Sequence, residues 1–283
     1  MVKKIFSIAM YSIRQWATNP RIICLFVLMS VFVWNDFEVI GDLTGRTGIK
    51  TNPLIFPFFS NDPVKQLILL AGIVFLFSDA PFINKNQPYI IIRSKRIPWV
   101  LGQILYIVIA SAIYFLFLML VSILVLLPYA TFATNGWGKI IHTLVQTDAG
   151  AQIKLQFGIT KEITTFYSPF EAFGLSFLLN WSVACFLGLI LFVINLKFNR
   201  MLGLVAGGVI LFSDLLVTNV FSSTFYHFSP VSLSRLGVLD PMGVSLAPSM
   251  AYPFVFFSVS IVVLSALLVV SIKKISIEIT PEL

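Results

Sequence analysis

The chain has 283 residues, 58% of them hydrophobic and 11% charged, where soluble chains carry roughly a quarter charged residues. A soluble fold of this length needs a polar exterior that this composition cannot supply, so the chain is read as an integral membrane protein. The net charge of +7 would suit nucleic acid in a soluble protein. Here the basic residues flank apolar runs, so they are read as setting orientation and meeting lipid headgroups, with no nucleic-acid partner.

Residues 3–18 form a basic amphipathic segment. Ile5, Phe6, Ala9, Met10, Ile13, Trp16 and Ala17 share one side at helical spacing, while Lys3, Lys4, Ser7, Arg14 and Gln15 lie mostly elsewhere. That pattern suits an interfacial helix lying in the membrane plane; the plainer reading is a frayed basic tail. Polar residues interrupt any signal-peptide core here, and Asn19-Pro20 breaks the segment before the first crossing.

Crossing about 30 Å of hydrocarbon takes roughly 20 helical residues. Six runs qualify: about 22–40, 64–82, 99–127, 170–194, 201–220 and 252–272. Lys65, at the edge of the short second run, is expected to snorkel to the headgroups. Between the first two runs, Gly41, Gly45, Gly48, Pro53 and Pro57 read as turns. The long loop 128–168 offers a short surface helix over 139–146 and a partly alternating, strand-like stretch over 154–167. The aromatic, proline-broken segment 221–250 is expected to dip back toward the membrane. Cys24 and Cys185 read as small buried hydrophobes without a disulfide.

Six spans put both termini on one side. With the termini inside, the inner segments hold 12 of the 19 Lys and Arg residues and the outer ones hold 7. The inner twelve are Lys3, Lys4, Arg14, Arg21, Lys85, Arg93, Lys95, Arg96, Lys197, Arg200, Lys273 and Lys274. The chain is thus read as a single all-α polytopic membrane domain over 1–283, six-span, with both termini cytoplasmic.

Catalytic chemistry finds little support. Gly136-Trp137-Gly138-Lys139 lacks the spacing and hydroxyl of a phosphate-binding loop, so no nucleotide, cofactor or metal site is expected. His142 and His227 lie on different loops, and Ser176 in the fourth span has no histidine at its depth. Asp214, in the outer half of the fifth span, is the main ionisable residue at membrane depth. It lines a substrate path, or it caps a re-entrant segment after a helix break. Gly203 and Gly207 have the G-x-x-x-G spacing of close helix contact, within the chain or at a subunit interface.

The inner loop between the second and third runs carries Ser78-Asp79-Ala80-Pro81-Phe82, then Arg93-Ser94-Lys95-Arg96, Trp99 and Gly102. It reads either as a docking surface for a soluble partner or as a topogenic charge cluster. With the Asn19-Pro20-Arg21 junction, the six-run layout and the aromatic outer segment, these features resemble the permease subunit of a type-2 ATP-binding-cassette (ABC) exporter of Gram-positive character. The resemblance implies an ATPase in a separate subunit and a coupling loop at Asp79, Arg93, Lys95, Arg96 and Trp99. It also implies a second permease facing Gly203 and Gly207, and an amphipathic, lipid-like or peptide cargo crossing the bacterial cytoplasmic membrane. The competing readings are a membrane immunity or binding protein without transport, and an intramembrane enzyme.

Overall fold

The computed structural model describes residues 1–80, 94–132 and 136–274, with backbone only at 273 and 274. Among the described residues the fold is all-α, with isolated bridges in place of strands. Five helices are long and apolar enough to cross a membrane. They are α2 (Pro20–Thr47), α5 (Arg96–Leu126), α9 (Pro169–Lys197), α10 (Arg200–Asn219) and α11 (Ala251–Lys274). The chain is a polytopic membrane protein.

The helix starts follow from local chemistry. Asn19 accepts a hydrogen bond from the Arg21 amide with Pro20 in the first turn of α2. Asp62 accepts from the Val64 and Lys65 amides to start α4 (Pro63–Phe77). Ser168 and Glu171 close a capping box on α9, and Asn199 accepts from the Leu202 amide on α10. Each side chain satisfies amides that have no partner within the helix. Gly48, with φ 66°, ends α2 in the left-handed conformation open to glycine.

Helix α9 is the centre of the bundle. In its apolar window 61% of residues are buried, against 17% in α11 and 22% in α10, and it packs on α4, α5, α10 and α11. The peripheral helices turn Val205, Val209, Phe212, Val255, Val259 and Val262 outward, a surface that only lipid or another apolar chain can cover.

The N-terminal helix α1 (Val2–Arg14) crosses the start of α5 at Gly102, where an added Cβ would come within 2.7 Å of Ile8. Its apolar side is divided. Ile8, Ala9 and Ser12 are buried against the bundle, while Val2 and Phe6 stay exposed.

Several sequence expectations change. The second apolar run, 64–82, forms only the 15-residue α4 (Pro63–Phe77) among the described residues, shorter than a full crossing, and a buried six-residue helix α3 (Phe56–Asn61) precedes it across Asp62. Residues 51–61 are buried throughout, so this stretch is part of the core and not a free outer loop. Gly41 and Gly45 lie inside α2, where the Tyr129 ring packs 3.4 Å from either Cβ position; they make room for a ring and do not turn the chain. Helix α6 (Gly138–Gln146) matches the expected surface helix, with α7 (Ala149–Gln152) after it. The strand-like stretch 154–167 is instead a loop leading into helix α8 (Lys161–Phe166). Its alternation has no partner strand to pair with, and a strand without one cannot satisfy its backbone. Cys24 is exposed on α2 while Cys185 is buried; neither forms a disulfide.

Candidate functional site

The described polar chemistry at membrane depth falls into two layers. The first joins the starts of α2 and α10 to the end of α4. The Arg21 guanidinium donates to the carboxylate of Asp79 and to Ser78 Oγ, and it donates to the Phe75 carbonyl at 2.6 Å. It also lies over the Phe75 ring, 4.2 Å from the centroid. Arg200 stands 4.0 Å from the other Asp79 oxygen. From α9, Asn195 donates to the carbonyls of Ser78 (3.1 Å) and Ala80 (2.9 Å). The turn leaving α4 is therefore held by α2, α9 and α10 together. Beside it, a cavity of about 70 Å³ lies between α1 and the bundle, lined by Ser12, Trp16, Arg21, Asp79 and Tyr106 among others. Trp16 Nε1 donates to Tyr106 Oη at 2.9 Å across it.

The second layer lies toward the opposite ends of α2 and α4. Lys65 Nζ donates to both oxygens of Asp36, at 2.8 and 2.9 Å, and both side chains are buried. Lys65 Nζ also stands 5.0 Å from the Phe32 ring centroid. Asp36 follows Arg21 by fifteen positions on α2, ~22 Å of helix; Lys65 precedes Asp79 by fourteen, ~21 Å. The near-equal spans let two ion pairs tie the antiparallel α2 and α4 at both ends. Lys65 therefore does not snorkel: a buried carboxylate on the neighbouring helix holds it in place.

At similar depth Asp214 is buried on an unbroken α10. Its carboxylate accepts from Ser229 Oγ (2.7 Å) and Ser232 Oγ and faces Arg235 at 3.4 Å. Arg235 donates to Thr218 Oγ1 at 2.8 Å. The expected helix break is absent, because α10 keeps its backbone bonds past Ser213. Asp214 instead holds the segment that follows α10: 231–236 folds against the bundle with all six residues buried. Ser234 of that segment accepts from Gln66 Nε2 (2.6 Å), which also donates to Asn180 Oδ1 (3.0 Å). Gly237 donates to Asn61 Oδ1 at 2.8 Å.

The residues singled out from sequence are thus dispersed. Asp79 sits in the first layer. Lys95 and Arg96 are exposed at the start of α5, and Lys95 adopts φ 72° and ψ 158°, a conformation that L residues rarely take. Trp99 is fully buried with an edge contact to Phe192 at 6.4 Å, so it anchors α5 and is not available at the surface to a partner. Arg93 lies outside the described residues. Gly203 and Gly207 are occupied by their own chain. A Cβ on Gly203 would overlap Asn195 Oδ1, and one on Gly207 would stand 3.1 Å from Val74 and 3.4 Å from Leu191. The G-x-x-x-G spacing therefore serves packing within the chain, and a second permease would have to meet other residues of α10. Ser176 exchanges hydrogen bonds with Ser60 and Asn180, while His227 meets the Thr224 carbonyl and the Tyr252 ring; the two form separate clusters.

Sequence reasoning missed Asp36 and the pairing of Arg21 with Asp79. A signal existed for the first: an acid and a base inside consecutive apolar runs have to find each other or face lipid.

Comparison with protein-family models, with curated proteins and with solved structures finds no match to this chain.

Proposed function

We propose that the chain is the permease subunit of a type-2 ABC exporter. It crosses the bacterial cytoplasmic membrane six times with both termini inside, is not itself an enzyme, and is driven by ATP hydrolysed in a separate subunit. The observation that carries this reading is the hold on the turn after α4. Asp79, at the start of the inner loop, is gripped by Arg21 and Arg200, and Asn195 grips the same turn from α9. A push on the loop that begins there reaches three helices at once, next to the cavity under α1.

Other features are consistent with it. Helices α3 and α4 with Asp62 cover 22 positions, 56–77, or ~33 Å if stacked, enough for a second crossing. The exposed faces of α2 (Ile23, Val27, Val31) and α10 (Leu204, Val205, Val209) flank α4 and offer apolar area for a second permease. Arg93, Lys95 and Arg96 supply the charge that docks the ATPase, and the cargo is amphipathic, lipid-like or peptidic.

The test is to purify the tagged chain from its own cells and identify what accompanies it. An ABC ATPase should copurify with the native chain and be lost on charge reversal at Arg93, Lys95 and Arg96. Absence of any such ATPase, or retention after the reversal, would overturn the reading. A membrane binding protein without transport would give the first of these results.

A further inference from the structure

Where α8 leads into α9, an open groove of about 700 Å³ runs along the outside of the bundle. Its walls are Phe166, Tyr167, Phe170, Phe177 and Leu178, and Glu171 contributes the single charge among its lining residues. The floor is Gly174, where an added Cβ would have no atom of the chain within 4 Å. The volume falls within the range of small-molecule sites, roughly 300–1,000 Å³. The walls are fixed from behind. Buried Trp137 donates to the Tyr167 carbonyl at 3.0 Å, and Phe177 stacks on Trp181 with centroids 5.9 Å apart.

The charge at this groove is one-sided. One Glu171 oxygen is engaged by Ser168 N (3.0 Å) and Ser168 Oγ (2.8 Å) in the capping box, which leaves the other oxygen to a ligand. Burial, and after it the negative charge of Asp240, raise the Tyr167 phenol above its ordinary pKa, which places Asp240's negative potential near this ring. A carboxylate beside aromatic faces attracts an ammonium group and repels a phosphate without one. Along α11, Val255, Val259 and Val262 form a ridge without a charged neighbour on the helix between Ala251 and Ser271.

We propose that this groove binds a membrane lipid whose head carries a primary ammonium, with an acyl chain lying over Gly174 and the ammonium held between Glu171 and the Tyr167 ring. The inference needs the membrane assignment but not the permease reading. It is tested without any ATPase, so either idea can fail alone.

The experiment places the full chain in nanodiscs of phosphatidylglycerol doped with bromine-labelled phosphatidylethanolamine or, separately, bromine-labelled phosphatidylglycerol. It reads quenching of Trp181 as the difference between the native chain and Trp181→Phe. The ethanolamine lipid should be enriched about fivefold at the site, the factor corresponding to ~1 kcal/mol of ammonium–aromatic attraction. Glu171→Gln keeps a capping-box residue and should erase the preference. Gly174→Leu should reduce quenching by both lipids by filling the floor. Equal quenching by the two lipids in the native chain, or a preference that survives Glu171→Gln, overturns the proposal.

Discussion

Replacing Lys65 with methionine removes the ammonium from a buried pair and leaves Asp36 with no counter-charge. At 2.8 Å the attraction amounts to about 6 kcal/mol at an effective dielectric of ~20. Desolvation of the two ions costs several kcal/mol each and offsets that gain, so the intact pair is close to neutral overall, whereas breaking it by removing one partner costs about 3–5 kcal/mol. Folded proteins hold only ~5–15 kcal/mol in reserve, so Lys65→Met should take a large part of it. Asp36→Leu with Lys65→Met removes both charges, and most of the loss should return. The assay is thermal unfolding in a neutral detergent, followed by size exclusion and tryptophan emission across the native chain, both single variants and the double variant. A Lys65→Met protein as stable as the native one, or a double variant worse than either single, would refute the account of α2 and α4 as helices joined by a buried ion pair.

Gly203→Ala should destabilise by about 1–3 kcal/mol, because its Cβ meets Asn195. Gly208→Ala, on the same helix but with nothing within 4 Å, should be neutral or slightly stabilising, and denaturation of the two side by side checks the contrast. Lys95→Gly should stabilise by ~1 kcal/mol or more, by relieving the strained φ; Lys95→Ala should not, which separates backbone strain from loss of charge. Asp240 accepts hydrogen bonds from the amides of Ser245, Met242 and Gly243, which hold its carboxyl down at about 2 from 3.8. A depressed pKa contributes stability that is present above 3.8 and is lost as pH falls through about 2. The protection factor of the Ser245 amide, its exchange relative to the intrinsic rate at each pH, should therefore hold at pH 4 and fall toward pH 2, and Asp240→Asn should flatten that response. On the permease reading, a cysteine placed at exposed Val244 should change its labelling rate when ATP is added to the assembled complex. Arg21→Gln should abolish that change while the ATPase stays bound.

The five long helices were legible in the sequence because bilayer thickness and a window of apolar residues are sufficient to define them. The start of α2 was legible as well: Asn19-Pro20 is a local signal that needs no tertiary context. What was not legible depends on contacts between distant residues. Gly41 and Gly45 look like turn formers until Tyr129 arrives from the far end of α5 to pack against them. Gly203 looks like a dimer residue until Asn195, across the α9–α10 junction, fills the space over it. Lys65 looks like a snorkelling cation until Asp36 is placed opposite. The run 64–82 misled in a different way. Its hydropathy is real, but the helix it forms ends at Phe77 after 15 residues, and the buried Phe56–Asn61 ahead of Asp62 extends the apolar path on the other side. The strand-like reading of 154–167 failed because period-two alternation means little without a neighbouring strand; here only Phe157 and Ile163 are deeply buried.

The placement of charge carries the remaining argument. An ionised side chain at membrane depth is costly, and apolar replacement of a whole pair is often neutral for stability. Fold stability alone is therefore a weak reason for Asp36–Lys65, Asp214–Arg235 and Arg21–Asp79 to stand where they do. What the three pairs share is connectivity: each joins two elements that are separate in sequence. Helices α2 and α4 make far less contact with each other than α2 makes with α5, so their relative position depends on two ion pairs about 21 Å apart. Apolar packing yields gradually to sliding, because one methylene contact replaces another. A charge pair in a medium of low dielectric does not, because every intermediate position leaves a carboxylate exposed to hydrocarbon. With both ends fixed in this way, α4 acts as a strut. A displacement of the Ser78–Ala80 turn strains the part-exposed Arg21–Asp79 pair, worth about 0–1 kcal/mol, while the buried Lys65–Asp36 pair holds the other end of α4 against a cost of about 3–5 kcal/mol.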